Sequence, residues 1–550
     1  MTRRIWEWPY RLGHTFSGNL YQYIYAPFQP PINLRLLELR PGHRSSPIEC
    51  ELFNTSLEET PSYEALSYHW GNVNDTTEIV CNGRDFPITS NLRAALLDLR
   101  QPDRKRALWI DALCINQRDY SERNQQLQLM HQIYRRANKV LIWTGENTET
   151  VALVQSLFEQ LRTLRARFGD LVYFNPSSLS SLGLPPESSN TWSALRYFFR
   201  RAWFQRAWVI QEAANASTLA VKSGSIDLEW EDMVFTARCV AESPMFAATD
   251  TASICRHLSF IDDCRLAQRN PSKGQFSLLN LLHQSRQCGA TDLRDKIYGL
   301  YPLVDDQATL PKPDYEKSIQ TVYKETAAHL ITSTGKLDVL SFAGAARHPL
   351  TRSLKLPSWV PDWHAYDKAI PMIGSAQLIA ETGPNQAPTD IQFSNDLDHL
   401  VLEGAVIDSI ASVSDTIIPF QGNLTSKRET VDPLIRQWPE AKTTLEPTGE
   451  IIRILEVFHL PQSAFTTAWL MSERNQLTRL VYGRRLLRSA SGALGLGPAH
   501  ATANDKIAVF KRGSVPYVVR PDDGLYKLVG ECFFPDVSRY QGSMHDLILK

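Results

Sequence analysis

Residues 107–143, ALWIDALCINQRDYSERNQQLQLMHQIYRRANKVLIW, decide the fold class of this chain. Two short apolar runs, residues 107–110 and 140–143, have the length and composition of strands buried in a parallel sheet. Between them, Asp119 and Glu122 match a helix-capping pattern, and apolar residues then recur at helical spacing. A strand, a helix and a strand within about 40 residues form a βαβ unit with a right-handed crossover. The pattern therefore predicts an α/β domain built on a parallel sheet.

The flanking sequence extends this unit in both directions. Residues 63–68 have strand character, and the dipeptide at 82–83, Asn-Gly between two apolar runs, is a strong hairpin signal. Residues 230–345 are mostly helical by pattern, whereas the C-terminal part alternates like strands, most clearly over 505–534. The sequence therefore predicts a lead-in segment, an α/β domain, a mostly helical region and a β-rich region, at residues 1–60, 61–225, 226–365 and 366–550.

Charge and hydropathy exclude two classes of partner. The chain has 58 Lys+Arg and 59 Asp+Glu, a net charge of −1, so neither nucleic acid nor an acidic membrane surface is predicted as a partner. No apolar window of about 18 residues occurs, and polar and aromatic residues stand near the N-terminus where a signal peptide needs an apolar run. The eight cysteines are scattered and form no Cys-x-x-Cys pair, which is typical of a reduced intracellular chain. We therefore predict a cytoplasmic protein without a membrane span.

Common catalytic and metal-binding motifs are missing from the sequence. It contains no Walker loop, no G-x-S-x-G elbow and no H-E-x-x-H helix. The G-x-G at residues 495–497 has His500 where a dinucleotide fingerprint needs a third glycine. Cys255, His257 and Cys264 lie close in sequence, but zinc sites favour two tightly spaced ligand pairs. No metal site is predicted.

Three blocks stand out in the first half of the chain: YEALSYHWG at residues 63–71, LWIDALCINQ at 108–117 and RAWVIQE at 206–212. Together they resemble the fungal heterokaryon-incompatibility (HET) domain family. Blocks further along also resemble those of long HET-domain proteins, so the resemblance covers most of the chain. These later blocks are residues 292–300, 313–315, 356–363 and 505–532.

The resemblance implies both a fold and an activity. The HET family is similar in fold to TIR domains, which implies a flavodoxin-like, TIR-like parallel sheet. Some TIR domains cleave NAD at the nicotinamide–ribose bond with a helix-borne glutamate, which in several of them lies four residues after a tryptophan. Trp208 and Glu212 stand in that relation, so the resemblance implies that Glu212 is catalytic and that NAD is a substrate rather than a cofactor. Trp469 and Glu473 share the spacing without the flanking block, so the spacing alone is a weak signal.

The residue chemistry is compatible with that activity. In parallel α/β sheets, ligands bind beyond the carboxyl ends of the strands, where polar residues follow two predicted strands here. Residues spaced i and i+4 share a helix face, which places a tryptophan beside the glutamate. One carboxylate can stabilise the oxocarbenium-like state of N-glycosidic cleavage, because nicotinamide leaves as a neutral molecule. The predicted substrate-binding residues are Ser67, His69, Trp70, Asp111, Cys114, Asn116 and Trp208.

Each candidate also has a structural interpretation. Glu212 can form a structural hydrogen bond or an ion pair, with Arg206 as the expected partner. Asp111 can cap a helix or a loop, and Cys114 can be a small buried hydrophobic residue rather than a nucleophile. Trp70 can simply pack in the core. These interpretations compete with the functional ones at every position.

Three functions follow from these alternatives. The first is an enzyme that hydrolyses NAD in fungal non-self recognition and programmed cell death. The second is a non-catalytic module that binds other proteins or itself, and the third is an accessory protein or enzyme of a specialised-metabolite pathway. An open cleft lined by Glu212, Ser67 and Asp111 favours the first, whereas Glu212 held by an arginine in a filled interior favours the second. Asp295 and Arg294 are expected to brace the α/β domain against the region that follows it.

Overall fold

The computed structural model describes most of the chain in two compact units, Met1–Tyr315 and Glu316–Lys550. The first unit contains all three sequence blocks from which the candidate site is predicted, residues 63–71, 108–117 and 206–212. The finer division into four regions remains a prediction. The described residues are residue 25 and residues 27–29, 33–146, 149–246, 249–270, 276–304, 309–344, 354–365, 391–414, 483–534 and 542–550.

A nine-stranded mixed sheet forms the centre of the first unit. Its strands are β1 (Leu34–Leu39), β2 (Glu49–Thr55), β3 (Glu64–Tyr68), β4 (Thr76–Cys81), β5 (Arg84–Thr89), β6 (Arg106–Trp109), β7 (Lys139–Trp143), β8 (Leu219–Ser223) and β9 (Ile226–Leu228). Their order in the sheet is β5-β4-β2-β1-β6-β3-β7-β8-β9.

The parallel part of the sheet consists of the four neighbours β6, β3, β7 and β8. In its register, Ala65 lies opposite Trp109 on one side and Ser67 lies opposite Ile142 on the other. This confirms the predicted parallel α/β core. The strands β6 and β7 of the predicted βαβ unit lie on either side of β3 rather than next to each other. The remaining pairs are antiparallel, except that β2 and β4 are parallel, so the whole sheet is mixed.

Helices connect and flank these strands. In the first unit they are α1 (Ser90–Leu99), α2 (Asp111–Cys114), α3 (Tyr120–Arg136), α4 (Glu149–Phe168), α5 (Asn190–Phe199), α6 (Val209–Ala214), α7 (Trp230–Glu242), α8 (Asp250–Arg269), α9 (Leu278–Gln284) and α10 (Asp295–Tyr298).

Local signals account for several of these boundaries. Asn82 and Gly83 both have positive φ, as a two-residue hairpin between β4 and β5 requires. The Asp119 side chain caps α3 by accepting two backbone N–H groups, which confirms the predicted cap. For α1 the sequence predicts a cap at Ser90, whereas the structure uses the side chain of Thr89, one residue earlier. The sequence therefore predicts the hairpin turn and the first residues of these two helices to within one residue.

The sequence pattern predicts a helical stretch from residue 192 to about residue 215, but the structure interrupts it. The helix α5 ends at Phe199, a short 3-10 helix covers Ala202–Gln205, and α6 begins only at Val209. Trp203 is buried in that 3-10 helix, and Arg206 has an extended backbone with φ −85° and ψ 139°. Burial of Trp203 redirects the chain, and α6 then contacts β3 in the centre of the sheet.

The second unit contains the helix α11 (Ile319–Thr334) and a β-rich part, as predicted. Antiparallel pairing of β11 with both β14 and β17 closes β11, β14, β15, β16 and β17 into a ring of five strands. The strands of this unit are β10 (Ile391–Phe393), β11 (Leu400–Val413), β12 (Arg484–Ser489), β13 (Leu494–Pro498), β14 (Lys506–Phe510), β15 (Tyr517–Asp522), β16 (Leu525–Glu531) and β17 (His545–Leu549).

Two further expectations concern the whole chain. Within the described residues, no helix combines the length and the apolar character that crossing a membrane requires. All eight cysteines are buried and free. The thiols thus contribute apolar packing and no covalent cross-link.

Candidate functional site

Glu212 lies on α6 at the carboxyl end of β3, where a parallel sheet places its ligands. The hydroxyl of Ser67 donates to Oε2 of Glu212 at 2.5 Å, and Nε1 of Trp203 donates to that same hydroxyl at 2.8 Å. Glu212 is only 1% exposed and Ser67 is fully buried. A chain of two hydrogen bonds therefore fixes one oxygen of the carboxylate.

Arg206 faces the other oxygen of the same carboxylate. Its Nη1 lies 3.7 Å from Oε1 of Glu212, and it also donates to the backbone carbonyl of Tyr68. The ion pair expected for the structural interpretation is therefore present. Burial lowers the pKa of Arg206, but Glu212 and Asp111 outweigh that effect and raise it above its usual value. Arg206 is the cation that partly balances two acidic side chains.

The two acids of this cluster both have a raised pKa. Burial raises the pKa of Glu212 to about 7, and Asp111 adds to this rise while Arg206 and Ser67 oppose it. Burial also raises the pKa of Asp111, against the effects of Arg206 and of the hydrogen bond from Trp70. Glu212 is consequently able to change charge near neutral pH, which is a property of many functional carboxylates.

Asp111 and Trp70 form a second contact beside this pair. The indole Nε1 of Trp70 donates to Oδ2 of Asp111 at 2.8 Å, and the backbone N–H of Ala112 donates to Oδ1 at 2.8 Å. Gln117 donates to the backbone carbonyl of Asp111 at 2.9 Å. Asp111 thus stabilises its own segment by hydrogen bonds, as the structural interpretation predicts. Its negative charge also raises the pKa of Glu212.

Three other predicted substrate-binding residues have structural partners. The ring Nδ1 of His69 accepts from the N–H of Gly71 at 3.0 Å, and burial lowers the pKa of this histidine. Cys114 is fully buried, and burial raises the pKa of its thiol to about 12, which makes it a poor nucleophile. The side chain of Asn116 accepts from the N–H of Arg118 at 3.2 Å and so stabilises its own loop.

Trp208 immediately precedes α6, but its side chain has a different partner from that of Glu212. Its indole Nε1 donates to Oδ2 of Asp295 at 2.9 Å, and the hydroxyl of Tyr315 donates to Oδ1 of the same carboxylate at 2.5 Å. The brace expected at Asp295 is therefore present. The structure brings Ser67, Asp111 and Glu212 together in one cluster, and it directs the Trp208 ring towards Asp295.

Comparisons with known proteins identify the family. The model of the family described as "Heterokaryon incompatibility protein (HET)" matches residues 63–212, which span the strands and the helix that build this cluster. This segment of the chain matches the HET domain. The model of a second family, the Het-6 β-barrel domain, matches residues 462–539.

A curated relative extends the match over nearly the whole chain. "Heterokaryon incompatibility protein 6, OR allele" of Neurospora crassa is 23% identical over 658 aligned positions, which cover 94% of this chain and 95% of that relative. No solved structure matched the chain. The family resemblance seen in the sequence is thereby confirmed, while the TIR-like part of that resemblance rests on sequence alone.

The HET domain also contains two site residues that sequence reasoning missed. Trp203 binds Ser67, and the only available signal was its place five residues before Trp208 in the same aromatic segment. Tyr68, the last residue of β3, is 1% exposed, and its hydroxyl has no hydrogen-bond partner within the described structure. The motif contains this tyrosine, but an unpaired buried hydroxyl can be seen only in three dimensions.

The raised pKa of Glu212 predicts how stability depends on pH. A carboxyl whose folded pKa lies above its unfolded value stabilises the fold most at low pH, and this contribution is lost as pH rises from about 4.5 to about 7. Glutamine cannot ionise, so the melting temperature of Glu212→Gln minus that of the wild type should grow over this window and then level off. Thermal unfolding of both proteins at several pH values measures the difference. A flat difference would contradict the assignment.

Proposed function

We propose that this HET-domain protein acts in fungal non-self recognition in the cytoplasm, and that Glu212 is the functional group of its HET domain. The observation that carries the proposal is the buried carboxylate at the carboxyl end of β3, with a pKa raised to about 7. The printed name of the Neurospora relative, a heterokaryon incompatibility protein, supports the biological role.

The chemistry that we propose is hydrolysis of NAD. The parallel strands lie in the order β6-β3-β7-β8, in which the second strand along the chain precedes the first, third and fourth. Flavodoxin-like sheets begin in this order, so it supports the TIR-like resemblance from which the NAD chemistry is inferred. The carbon–nitrogen bond between ribose and nicotinamide breaks, and its electron pair leaves with neutral nicotinamide. Water then adds to the ribosyl cation and releases one proton, giving ADP-ribose. The ionised Glu212 stabilises the cation, as a carboxylate does in glycoside hydrolysis.

This reaction requires a second conformation of the site. With Glu212 only 1% exposed and bound by Ser67, a ribose can reach the carboxylate only after this hydrogen bond opens. We infer that the described conformation is the resting one, and that a recognition event or self-assembly of the HET domain exposes the carboxylate. Cell death would then follow from loss of NAD.

A second candidate function is a non-catalytic interaction module. One observation favours it: Glu212 is buried, accepts a hydrogen bond from Ser67 and pairs with Arg206. A purely structural ion pair in a filled interior has these same properties. In this case the HET domain binds other proteins or itself, and Glu212 only stabilises the fold.

The test is NAD consumption by the purified full-length chain over a range of protein concentrations, with and without clustering by an artificial oligomerisation tag. We expect nicotinamide release that increases with clustering. No turnover by the wild type under any of these conditions would contradict the enzymatic proposal. Cell death on expression in a fungus, in the absence of NAD loss, would instead support the interaction module.

A further inference from the structure

Residues 285–299 bind the segment that leads into α6, and we call them the clamp. Their first contact is a pair of backbone hydrogen bonds. The N–H of Ala207 donates to the carbonyl of Gly289 at 3.0 Å, and the N–H of Gly289 donates to the carbonyl of Gln205 at 2.5 Å. These two bonds enclose Arg206, whose backbone forms a parallel bridge with Gly289. The clamp therefore fixes the backbone that carries the cation facing Glu212.

The second contact of the clamp is the side chain of Asp295. This carboxylate is 7% exposed and accepts the indole N–H of Trp208 at 2.9 Å. Trp208 is the residue before α6, and its backbone carbonyl accepts the N–H of Glu212 at 3.2 Å. Movement of Trp208 is therefore transmitted directly to the turn that holds Glu212.

The clamp is itself held by a buried lysine. Nζ of Lys296 donates to the carbonyl of Arg286 at 2.8 Å and also to the carbonyl of Cys288, and Lys296 is only 3% exposed. The Sγ of Cys288 in turn lies 3.0 Å from Nε2 of His257 on α8. Since Lys296 follows Asp295 directly, one short helix, α10, organises both contacts with the segment before α6.

We propose that Asp295 is a positioning residue for Glu212, acting through Trp208. It holds the start of α6 in place, so that Glu212 meets Ser67 and Arg206 in the closed site. The inference rests on the proposed role of Glu212 as the functional group, and it assigns the control of that group to the region that follows the HET domain. Releasing Trp208 from Asp295 loosens α6.

The two hydrogen bonds on Asp295 provide a matched pair of variants. Asp295→Ala removes the acceptor of Trp208, whereas Tyr315→Phe removes the other hydrogen bond to the same carboxylate, 2.5 Å against 2.9 Å long, without touching the segment before α6. Asp295→Asn is the conservative variant, because its amide oxygen can accept from Trp208 while its amide N–H donates to the Tyr315 hydroxyl. Trp208→Phe removes the indole donor while it keeps an aromatic ring, and it serves if Asp295→Ala fails to fold.

The experiment is hydrogen exchange of the amides of α6, Val209–Ala214, in the purified full-length chain, with the amides of β4 as an internal reference. In Asp295→Ala and Trp208→Phe we expect exchange about tenfold faster in α6, which corresponds to loss of one buried hydrogen bond to a charged group. Tyr315→Phe should exchange as the wild type does, and Asp295→Asn should restore slow exchange.

Three outcomes would overturn the proposal: unchanged α6 exchange in Asp295→Ala, equal acceleration in Tyr315→Phe, or no rescue by Asp295→Asn. Acceleration across β4 as well as α6 would assign Asp295 a role in global stability only, and this too would overturn it. Because exchange is measured without substrate, a wild-type chain that does not cleave NAD defeats the proposed function but leaves this test intact.

Discussion

Replacing Glu212 by glutamine is expected to lower NAD cleavage by the purified chain by about a hundredfold or more, the usual effect of losing one preorganised group that stabilises transition-state charge. Glutamine has the same shape, and its amide oxygen can still accept from Ser67. It cannot carry the negative charge that stabilises the ribosyl cation. The initial rate of nicotinamide release measures the effect directly.

The same reasoning predicts how the wild-type rate depends on pH. In the closed, substrate-free site, burial raises the pKa of Glu212 to about 7, and the mechanism needs the ionised form. The rate at NAD concentrations well below KM, which reports the free protein, should therefore rise with pH through this value. Glu473→Gln is a suitable control, because Trp469 and Glu473 repeat the spacing of Trp208 and Glu212 outside the HET domain. Turnover that survives in Glu212→Gln would leave an enzyme but show that its catalytic group lies elsewhere.

Replacing Glu122 by alanine is expected to destabilise the first unit by about 3–5 kcal/mol, because it leaves a buried charge without its partner. Glu122 is 6% exposed, and its Oε1 accepts from Nη1 of Arg35, which is 1% exposed, at 2.8 Å. The same oxygen accepts the N–H of Asn116 at 2.6 Å, and Arg35 also donates to the carbonyl of Cys114 at 2.8 Å. This pair therefore joins β1 to α3, and its hydrogen bonds also hold the end of α2 and the loop that follows it.

Denaturant-induced unfolding of the two proteins measures this loss of stability. The matched control is Glu51→Ala, which breaks the ion pair with Arg40, where both side chains are about half exposed and little change is expected. Replacing both Arg35 and Glu122 by leucine should cost less than Glu122→Ala alone, since no unpaired charge then remains buried. Equal effects of Glu122→Ala and Glu51→Ala would show that the buried pair has no special weight.

Much of the fold was predictable because its signals are local. The apolar runs of β6 and β7 and the Asn82-Gly83 hairpin depend on residues that are neighbours in sequence. The cap at Asp119 is of the same kind, since it binds N–H groups two and three residues away. The family, too, was evident from three short blocks, which the HET family model confirms over residues 63–212.

The sequence alone therefore determined the strands of the parallel core and the helix between β6 and β7, and the family resemblance pointed to Glu212. Only the tertiary structure decided where β3 lies, since nothing local states that it enters between β6 and β7. Ser67 and Glu212 are 145 residues apart, and Trp208 and Asp295 are 87 apart. Such partners meet through sheet register and the packing of α6. The burial and the pKa of a carboxyl group follow from that packing, because both depend on the apolar groups, charges and hydrogen-bond donors that lie around it in three dimensions.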